Sequence, residues 1–405
     1  MSTTSGFLKF NNSKPRVHVT ADDEEFDSEF MNHLQEEGFE TTYVPYNDNV
    51  KEYRATIRAL ADGLQLSENF AIISFGKAST VLLDHLIKPM SHCVALIAYY
   101  PSQQPKLQIQ YPASLEILLH LAGTTQTYTP AFRHYTYAGA KEGFAEFDLM
   151  EYDSVSASLS WSRTLGVLRH AFGIEVDLEK VWEQHMALEF ETKNAAATMA
   201  TMVAEPYVNH VPTLTGGIGQ KDLHAFYRDH FIPQNPPSLT MKLVSRTIGI
   251  DRVVDEMIIS FRHTTHIPWM LPDVPPTNKI VHVALVSIVC IRGGKLYHEH
   301  IYWDQASVLV QIGLLDPKLV PDSMKSKGLK KLPVYGAETA AKVLDKVSQP
   351  SNALLSSWKR EDKALPIRGK QQQGQGKKGN VSNNNKADGN KTNGNKANGK
   401  KAIGA

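Results

Sequence analysis

Between Lys295 and Leu315 the chain reads K-L-Y-H-E-H-I-Y-W-D-Q-A-S-V-L-V-Q-I-G-L-L. It packs His298, Glu299, His300, Tyr302, Trp303 and Asp304 into seven positions and then turns apolar. Imidazoles and a carboxylate this close together can move protons. An aldol cyclisation or isomerisation needs a base to take a proton from the carbon beside a carbonyl and an acid to protonate the oxygen. A carboxylate in an apolar cavity has its pKa raised by desolvation, which brings it toward useful basicity near neutral pH. Asp304, His300 and His210 are the catalytic candidates on these grounds. His298-x-His300 could also chelate a metal from alternate strand positions. A zinc site wants a third ligand and outer support, and none stands at an obvious spacing, so no metal and no cofactor is expected.

These residues need elements to aim them. Lys279 to Ile291 is rich in Val and Ile, and Arg292-Gly293-Gly294-Lys295 separates it from the His-rich run. Glycine accepts the positive φ of a tight turn, so the two runs read as a hairpin with a two-residue loop. Pairing outward from Arg292 and Lys295 sets His300 opposite Ser287 and Asp304 opposite Val283. Side chains alternate along a strand, so His298, His300, Tyr302 and Asp304 are expected on one face, beside Val283, Leu285 and Val289. Polar groups against an apolar wall describe a small-molecule pocket. Tyr302, His298, Asp255, His263 and Trp269 are its expected lining. Asp255 and His263 share strand parity while Glu256 points the other way, and Glu256 and Glu299 read as solvated positions.

Composition bounds the possibilities. The chain has 405 residues, enough for two domains and a tail, with 42% hydrophobic residues and a formal net charge of +1. From Pro366 to Ala405 nine Lys and Arg face one Asp, so that stretch carries +8 and the rest about −7. A mildly acidic body does not look like a nucleic-acid surface. The last forty residues, rich in Gly, Asn, Gln and Lys, cannot bury a core and are expected to be disordered. They lack aromatic rings for base stacking, and their partners are limited to weak, salt-sensitive contacts with RNA or anionic surfaces. Cys93 and Cys290 sit in apolar runs and read as buried thiols of a reducing compartment. With no apolar run of about 20 residues and no apolar signal core at the start, a cytoplasmic protein without a membrane span is expected.

Along the chain, strands are expected at Arg16–Thr20, Thr41–Pro45, Asn69–Phe75, His92–Ala98, Leu115–Leu121 and Arg133–Tyr137. They alternate with helices over 27–38, 50–66, 78–87 and 154–172. That alternation argues an α/β domain with a doubly wound parallel sheet over 16–173. After Gly173 the pattern changes. One long helix is expected over 178–203 and another over 220–231. Strands then follow at 239–248, 253–263, 280–291 and 296–307. Helices followed by antiparallel strands argue an α+β domain over 176–320. Residues 321–350 read as a basic linker and a closing helix, and 366–405 as the tail.

Two resemblances add to this. The pieces P-Y-V-N-H-V-P-T-L-T-G-G (206–217), S-R-T-I-G (245–249), V-V-D-E (253–256), H-I-P-W-M-L-P (266–272) and H-E-H-I-Y-W-D-Q-A-S-V-L-V-Q-I-G (298–313) resemble the SnoaL-like polyketide cyclases of the nuclear transport factor 2-like superfamily. The resemblance implies a curved sheet wrapped by helices into a cone with an apolar pocket. It also implies an aspartate on a late strand as general acid/base, which Asp304 matches, and a homo-oligomer. Residues 16–173 resemble a shortened dienelactone hydrolase of the α/β-hydrolase class. The nucleophile of its strand–elbow–helix (Ser74-Phe75-Gly76-Lys77-Ala78) falls on Gly76, Glu142 stands where the catalytic His is expected, and no acid occupies 122–127. With all three roles empty, triad chemistry is not available. The expected function is a pocket protein for a small, apolar carbonyl compound, which it isomerises, cyclises or hydrates, with an inactive hydrolase-like domain as support. Two alternatives stand beside it: a non-catalytic ligand-binding or scaffold protein, and a carboxymethylenebutenolidase-like lactone hydrolase acting through Ser74 or Ser79.

Overall fold

The computed structural model of the protein describes residues 14–103, 109–123 and 132–358. The expected tail and the greater part of the 122–127 stretch lie outside them. Met1–Ser351 forms one compact unit and Asn352 begins a second, whose described residues, up to Trp358, contain turns but no helix or strand.

The first sheet is fully parallel. Its strands are β1 (Arg16–Thr20), β2 (Glu40–Tyr43), β3 (Phe70–Phe75), β4 (Cys93–Tyr99), β5 (Glu116–Ala122) and β6 (His134–Tyr137), in the order β2-β1-β3-β4-β5-β6. Every residue of β3, F-A-I-I-S-F, is buried. Helices cover both faces of the sheet, so a central strand has no polar side. The helices are α1 (Ser28–Glu36), α2 (Val50–Ala59), α3 (Gly76–His85) and α4 (Ser154–Phe172). One core gathers Val17, Ile73, Tyr99 and Trp161, and the other Ile57, Ile72, Leu82 and Leu96. Helix α4 has sharp ends. The Asp153 carboxylate accepts from the Ser156 amide, and Gly173 takes the left-handed conformation at the C-terminus.

In the second sheet the expected long helix over 178–203 is three elements. Helix α5 (Leu178–Met186) loosens into a π-turn over Ala187–Glu191, Lys193 takes a positive φ, and Asn194 caps a new short helix, α6 (Ala195–Ala200). Met202 and Val203, read as helix from sequence, begin strand β7 (Met202–His210). Then come β8 (Thr215–Ile218), α7 (Gly219–Phe226), β9 (Thr240–Ile248), β10 (Arg252–Arg262), β11 (Ile280–Arg292), β12 (Lys295–Trp303) and α8 (Gln305–Ile312). The order is β8-β7-β12-β11-β10-β9, antiparallel except where β12 meets β7. Trp182, Met257, Ile259, Phe261, Leu285 and Trp303 belong to the apolar core on its inner face.

The hairpin turn is where the sequence puts it, with Arg292 opposite Lys295 and positive φ at both Gly293 and Gly294. The register beyond it is not. Ile291 pairs with Leu296, but Cys290 pairs with His298, so Tyr297 is an extra residue in β12. A bulge of one residue moves every later side chain to the opposite face. His300 therefore stands opposite Ile288, and Val289, Ser287 and Leu285 face Glu299, Ile301 and Trp303. The expected face of His298, His300 and Tyr302 points away from the second core, and the face set aside as solvated points into it.

The tip of this hairpin also docks on the first sheet's helices. The Gly293 amide donates to Glu37 at 3.0 Å, and the same carboxylate takes Arg169 at 2.8 Å. Arg252 reaches Ser162 and Ser158 of α4 at 2.6 and 2.7 Å. A Cβ on Gly293 would stand 2.5 Å from the Glu36 carbonyl oxygen, whereas one on Gly294 would meet nothing within 4 Å. Gly293→Ala is therefore expected to cost about 2 kcal/mol or more, from backbone strain plus lost docking, and Gly294→Ala clearly less. Urea unfolding of the two variants checks this; equal costs would contradict the close approach.

Candidate active site

The inward-facing residues of the second sheet line up in rows across its strands. One row runs Arg246, Asp255, Ser287, Ile301, His210, and the next Val253, Val289, Glu299, Val208. Helix α5 and its π-turn bring Trp182, Met186, Glu189 and Phe190 over this face, and the π-turn after α7 brings Tyr227 and Phe231. Together with Leu239, Met241, Met257, Ile259, Leu285 and Trp269 they wall a cavity of about 530 Å³, its mouth included. Most of the wall is apolar, and the polar groups on it are few: Glu299, Glu189, His210, Tyr227, Ser287.

Glu299 is the outstanding one. It is 6% exposed, and no described residue gives its carboxyl a hydrogen bond. Burial first, then the nearby Glu189 and Asp255 carboxylates, push its pKa well above the ordinary carboxyl range. Glu189 has the opposite surroundings. His185 Nε2 lies 3.0 Å from its Oε1, and the Tyr227 phenol stands on the same cavity wall. The Tyr227 phenol is held well above its usual pKa by burial and by that carboxylate. His185 is oriented in turn, its Nδ1 lying 2.6 Å from Thr201 Oγ1. Trp182 stacks on the imidazole. Two carboxyls in one apolar cavity do not both ionise. Glu299, with no hydrogen-bond partner among the described residues, is fitted to keep a proton; Glu189 has the His185 imidazole beside it.

His210 is buried, and burial lowers its pKa to about 4, so the ring is neutral. The Thr215 carbonyl, 3.1 Å from Nδ1, can only accept; Nδ1 carries the hydrogen and Nε2 keeps its lone pair. Trp269, Phe231 and Trp303 pack around the imidazole. Trp269 lines the cavity, its indole nitrogen tied to Asn235 at 2.9 Å. The Ser287 hydroxyl is buried on the same wall with no partner among the described residues.

The other expected site residues are elsewhere. Asp304 lies one residue past β12 and caps helix α8, accepting from the Ser307 amide at 3.2 Å. The apolar run after it is helical rather than strand, and Asp before such a run is a cap signature. His298 and His300 face the opposite side of the sheet, and Tyr302 is exposed there at 41%. His263 lies past the end of β10 against Thr277, 3.1 Å away. Asp255 is inside but fully engaged. Arg246 grips both its oxygens at 2.7 and 2.9 Å, and Trp182 donates to it at 2.8 Å. Glu299, Glu189, Tyr227 and Ser287 were not singled out by sequence. An acid isolated in the helical A-L-E-F of 187–190 was the one available signal.

The first sheet has an elbow that is filled from within. Gly76 turns from β3 into α3 with φ +57°, and the Asp22 carboxylate accepts from the amides of Lys77 (3.1 Å) and Ala78 (3.0 Å). A Cβ on Gly76 would lie 2.8 Å from that carboxylate. The amides that would hold an oxyanion are thus occupied, and no nucleophilic side chain fits at the turn. Ser79 donates to Ser74 and Tyr99, and Ser74 to the Ile97 carbonyl; no histidine is among their partners. Glu142 is exposed.

No protein-family model and no curated protein matches the chain. Solved structures are similar to about a third of it. TsrD from Streptomyces laurentii is 19% identical over 35% of this chain and 100% of its own, with a TM-score of 0.29. A candidate SnoaL-like polyketide cyclase from Jannaschia Sp. CCS1 is 16% identical over 35% and 99%, with a TM-score of 0.27. A protein with a ketosteroid isomerase-like fold from Catenulispora acidiphila DSM 44928 is 15% identical over 35% and 96%, with a TM-score of 0.26. These are weak, partial likenesses, and no activity passes from them to this chain.

Two substitutions separate the aspartates Asp304 and Asp255 by role. Asp304→Ala removes a cap and is expected to cost about 1 kcal/mol. Asp255→Ala leaves Arg246 without its bidentate partner and is expected to cost about 3 kcal/mol or more. Thermal and urea unfolding of both variants checks the ranking; a reversed order would contradict the placement of the two carboxylates.

Proposed function

We propose that the cavity over the second sheet binds a small, largely apolar carbonyl compound and transfers protons on it. Glu189 takes the proton from the carbon beside the carbonyl, and Glu299 gives its proton to the carbonyl oxygen; the reverse transfers at other positions complete an isomerisation or ring closure. The observation that carries this reading is Glu299 itself, a buried carboxyl without a hydrogen-bond partner among the described residues, next to a second carboxyl with His185 beside it. A purely structural role would leave the desolvation of two acids without return, because a buried polar group without a partner costs stability. His210 Nε2 and the Ser287 hydroxyl supply further hydrogen-bonding capacity on the same wall. Proton transfer of this kind is what the SnoaL-like resemblance of 206–313 implies, with the acid moved from Asp304 to Glu299. The first sheet, with its elbow filled by Asp22, acts as support and not as a hydrolase.

The test is exchange of α-hydrogens for deuterium in a panel of cyclic and polycyclic ketones, followed by NMR. The full chain is expected to accelerate exchange of at least one ketone. Glu299→Gln and Glu189→Gln are each expected to lower the rate roughly a hundredfold or more, and Asp304→Asn to leave it unchanged. No exchange by the wild-type protein, or exchange that survives Glu299→Gln, overturns the reading.

The pH dependence has a definite sign. Glu299 acts while protonated, and its folded-state pKa is raised, so on the alkaline side activity falls as pH rises through that raised value. Stability follows the same direction. Above the unfolded-state pKa the folded state binds the extra proton, so stability drops as pH rises toward the folded-state pKa. Glu299→Gln is expected to flatten that slope in unfolding measured at several pH values.

A further inference from the structure

The bulge that turns Glu299 inward turns His298 and His300 outward, into a second space between β-strands of the second sheet and the helices of the first. This cleft holds about 1,220 Å³, mouth included. Phe30 and His33 of α1, Phe147 and Tyr152, and the N-terminal half of α4 from Ser154 to Trp161 form one wall. Tyr207, Arg252, Ile288, Arg292, Tyr297, His298 and His300 form the other. Its lining contains two arginines, three histidines and six aromatic side chains beside them, and no carboxylate.

The charge in this cleft comes down to one group. Arg252 is matched by Asp251 at 2.6 Å. His33 and His298 are pushed down to about 3 by burial and by the neighbouring arginines, and His300 is lowered for the same reasons, so the imidazoles offer hydrogen bonds without charge. Arg292 is different. It is 6% exposed, and no carboxylate pairs with it among the described residues. Its Nη1 lies 2.9 Å from a ring nitrogen of His33, and its guanidinium lies 3.8 Å from the Tyr297 ring centroid and 5.1 Å from that of Trp161. Aromatic faces attract a cation but do not neutralise it. A buried guanidinium facing an empty space wants an anion there, and its planar fork suits a carboxylate.

We infer that the cleft between the two sheets is a second ligand site, which takes a small organic monocarboxylate with an aromatic or otherwise flat apolar body. The carboxylate pairs with Arg292; the body lies among Phe30, Phe147, Tyr152 and Tyr207. One unmatched positive charge fits a monoanion better than a phosphate dianion, which would bring a second negative charge with nothing to meet it.

Calorimetry with three probes tests this on the full chain: 2-naphthoate, its neutral amide 2-naphthamide, and 2-naphthyl phosphate. Naphthoate is expected to bind at least about tenfold tighter than the amide, and tighter than the phosphate. Arg292→Met is expected to remove that preference, and Glu299→Gln, in the other cavity, to leave it intact. Should Arg292→Met fail to fold, His300→Glu places a negative charge on the half-buried wall and is expected to weaken naphthoate by about tenfold or more with little effect on the amide. Equal binding of acid and amide, tighter binding of the phosphate, or loss of naphthoate binding with Glu299→Gln but not with the cleft variants would each overturn the assignment.

Discussion

One extra residue, Tyr297, decides what each side of the second sheet can do. A strand has two faces and a period of two, so an insertion of one exchanges them completely. Below the bulge, near the turn, Leu296 points inward. Above it, Glu299, Ile301 and Trp303 point inward, and His298, His300 and Tyr302 point outward. Without the bulge the imidazoles would lie in the apolar cavity and the carboxyl would face the first sheet. The hairpin tip is pinned at the same time, because Gly293 lies too close to Glu36 to carry a side chain. Turn, bulge and docking contact are thus one local arrangement, and it sets the chemistry of both spaces.

The acids of the second core are then sorted by their partners rather than by their depth. Asp255 and Glu299 are both nearly inaccessible. Asp255 has Arg246 on both oxygens and Trp182 besides, so both its oxygens are engaged. Glu299 has nothing but Val289 and Val208 beside it on the sheet and a second carboxyl across the cavity. Arg246 in turn is anchored by Glu179 and Glu183 of α5, the helix whose π-turn carries Glu189. The same helix therefore steadies the arginine that pairs with one acid of the sheet and brings a second carboxyl up to the other. π-turns are frequent where a helix must re-aim side chains at a site, and this one follows His185 directly.

Much of the fold could be read from the sequence because it rests on local signals. The buried run Phe70–Phe75, the alternation of strands and helices up to Gly173, and the Gly293-Gly294 turn all follow from apolar patterning and glycine geometry. The site was less legible, for reasons that are also physical. A bulge carries no composition of its own, so nothing in L-Y-H-E-H announces that Tyr297 is the extra residue. Asp304 has the residue type of a base and the position of a helix cap, and the cap is the reading its helical sequel supports. The 178–203 stretch has helical periodicity throughout, and only Asn194 marks where a new helix starts. His210 and Trp269 line the cavity because β7 and the turn near Trp269 bring them there, a long-range arrangement that spacing in the chain does not report.

The claim on which this account rests is that Glu299 keeps its proton above the ordinary carboxyl range. Carbon-13 labelling of glutamate side-chain carboxyls, followed by NMR titration of the full chain and of Glu299→Gln, measures it directly. The account predicts one carboxyl resonance still in the protonated range at neutral pH, absent from Glu299→Gln. If every glutamate carboxyl titrates in the ordinary range, or if the protonated signal survives that substitution, the proton is not on Glu299 and the proposed acid is wrong.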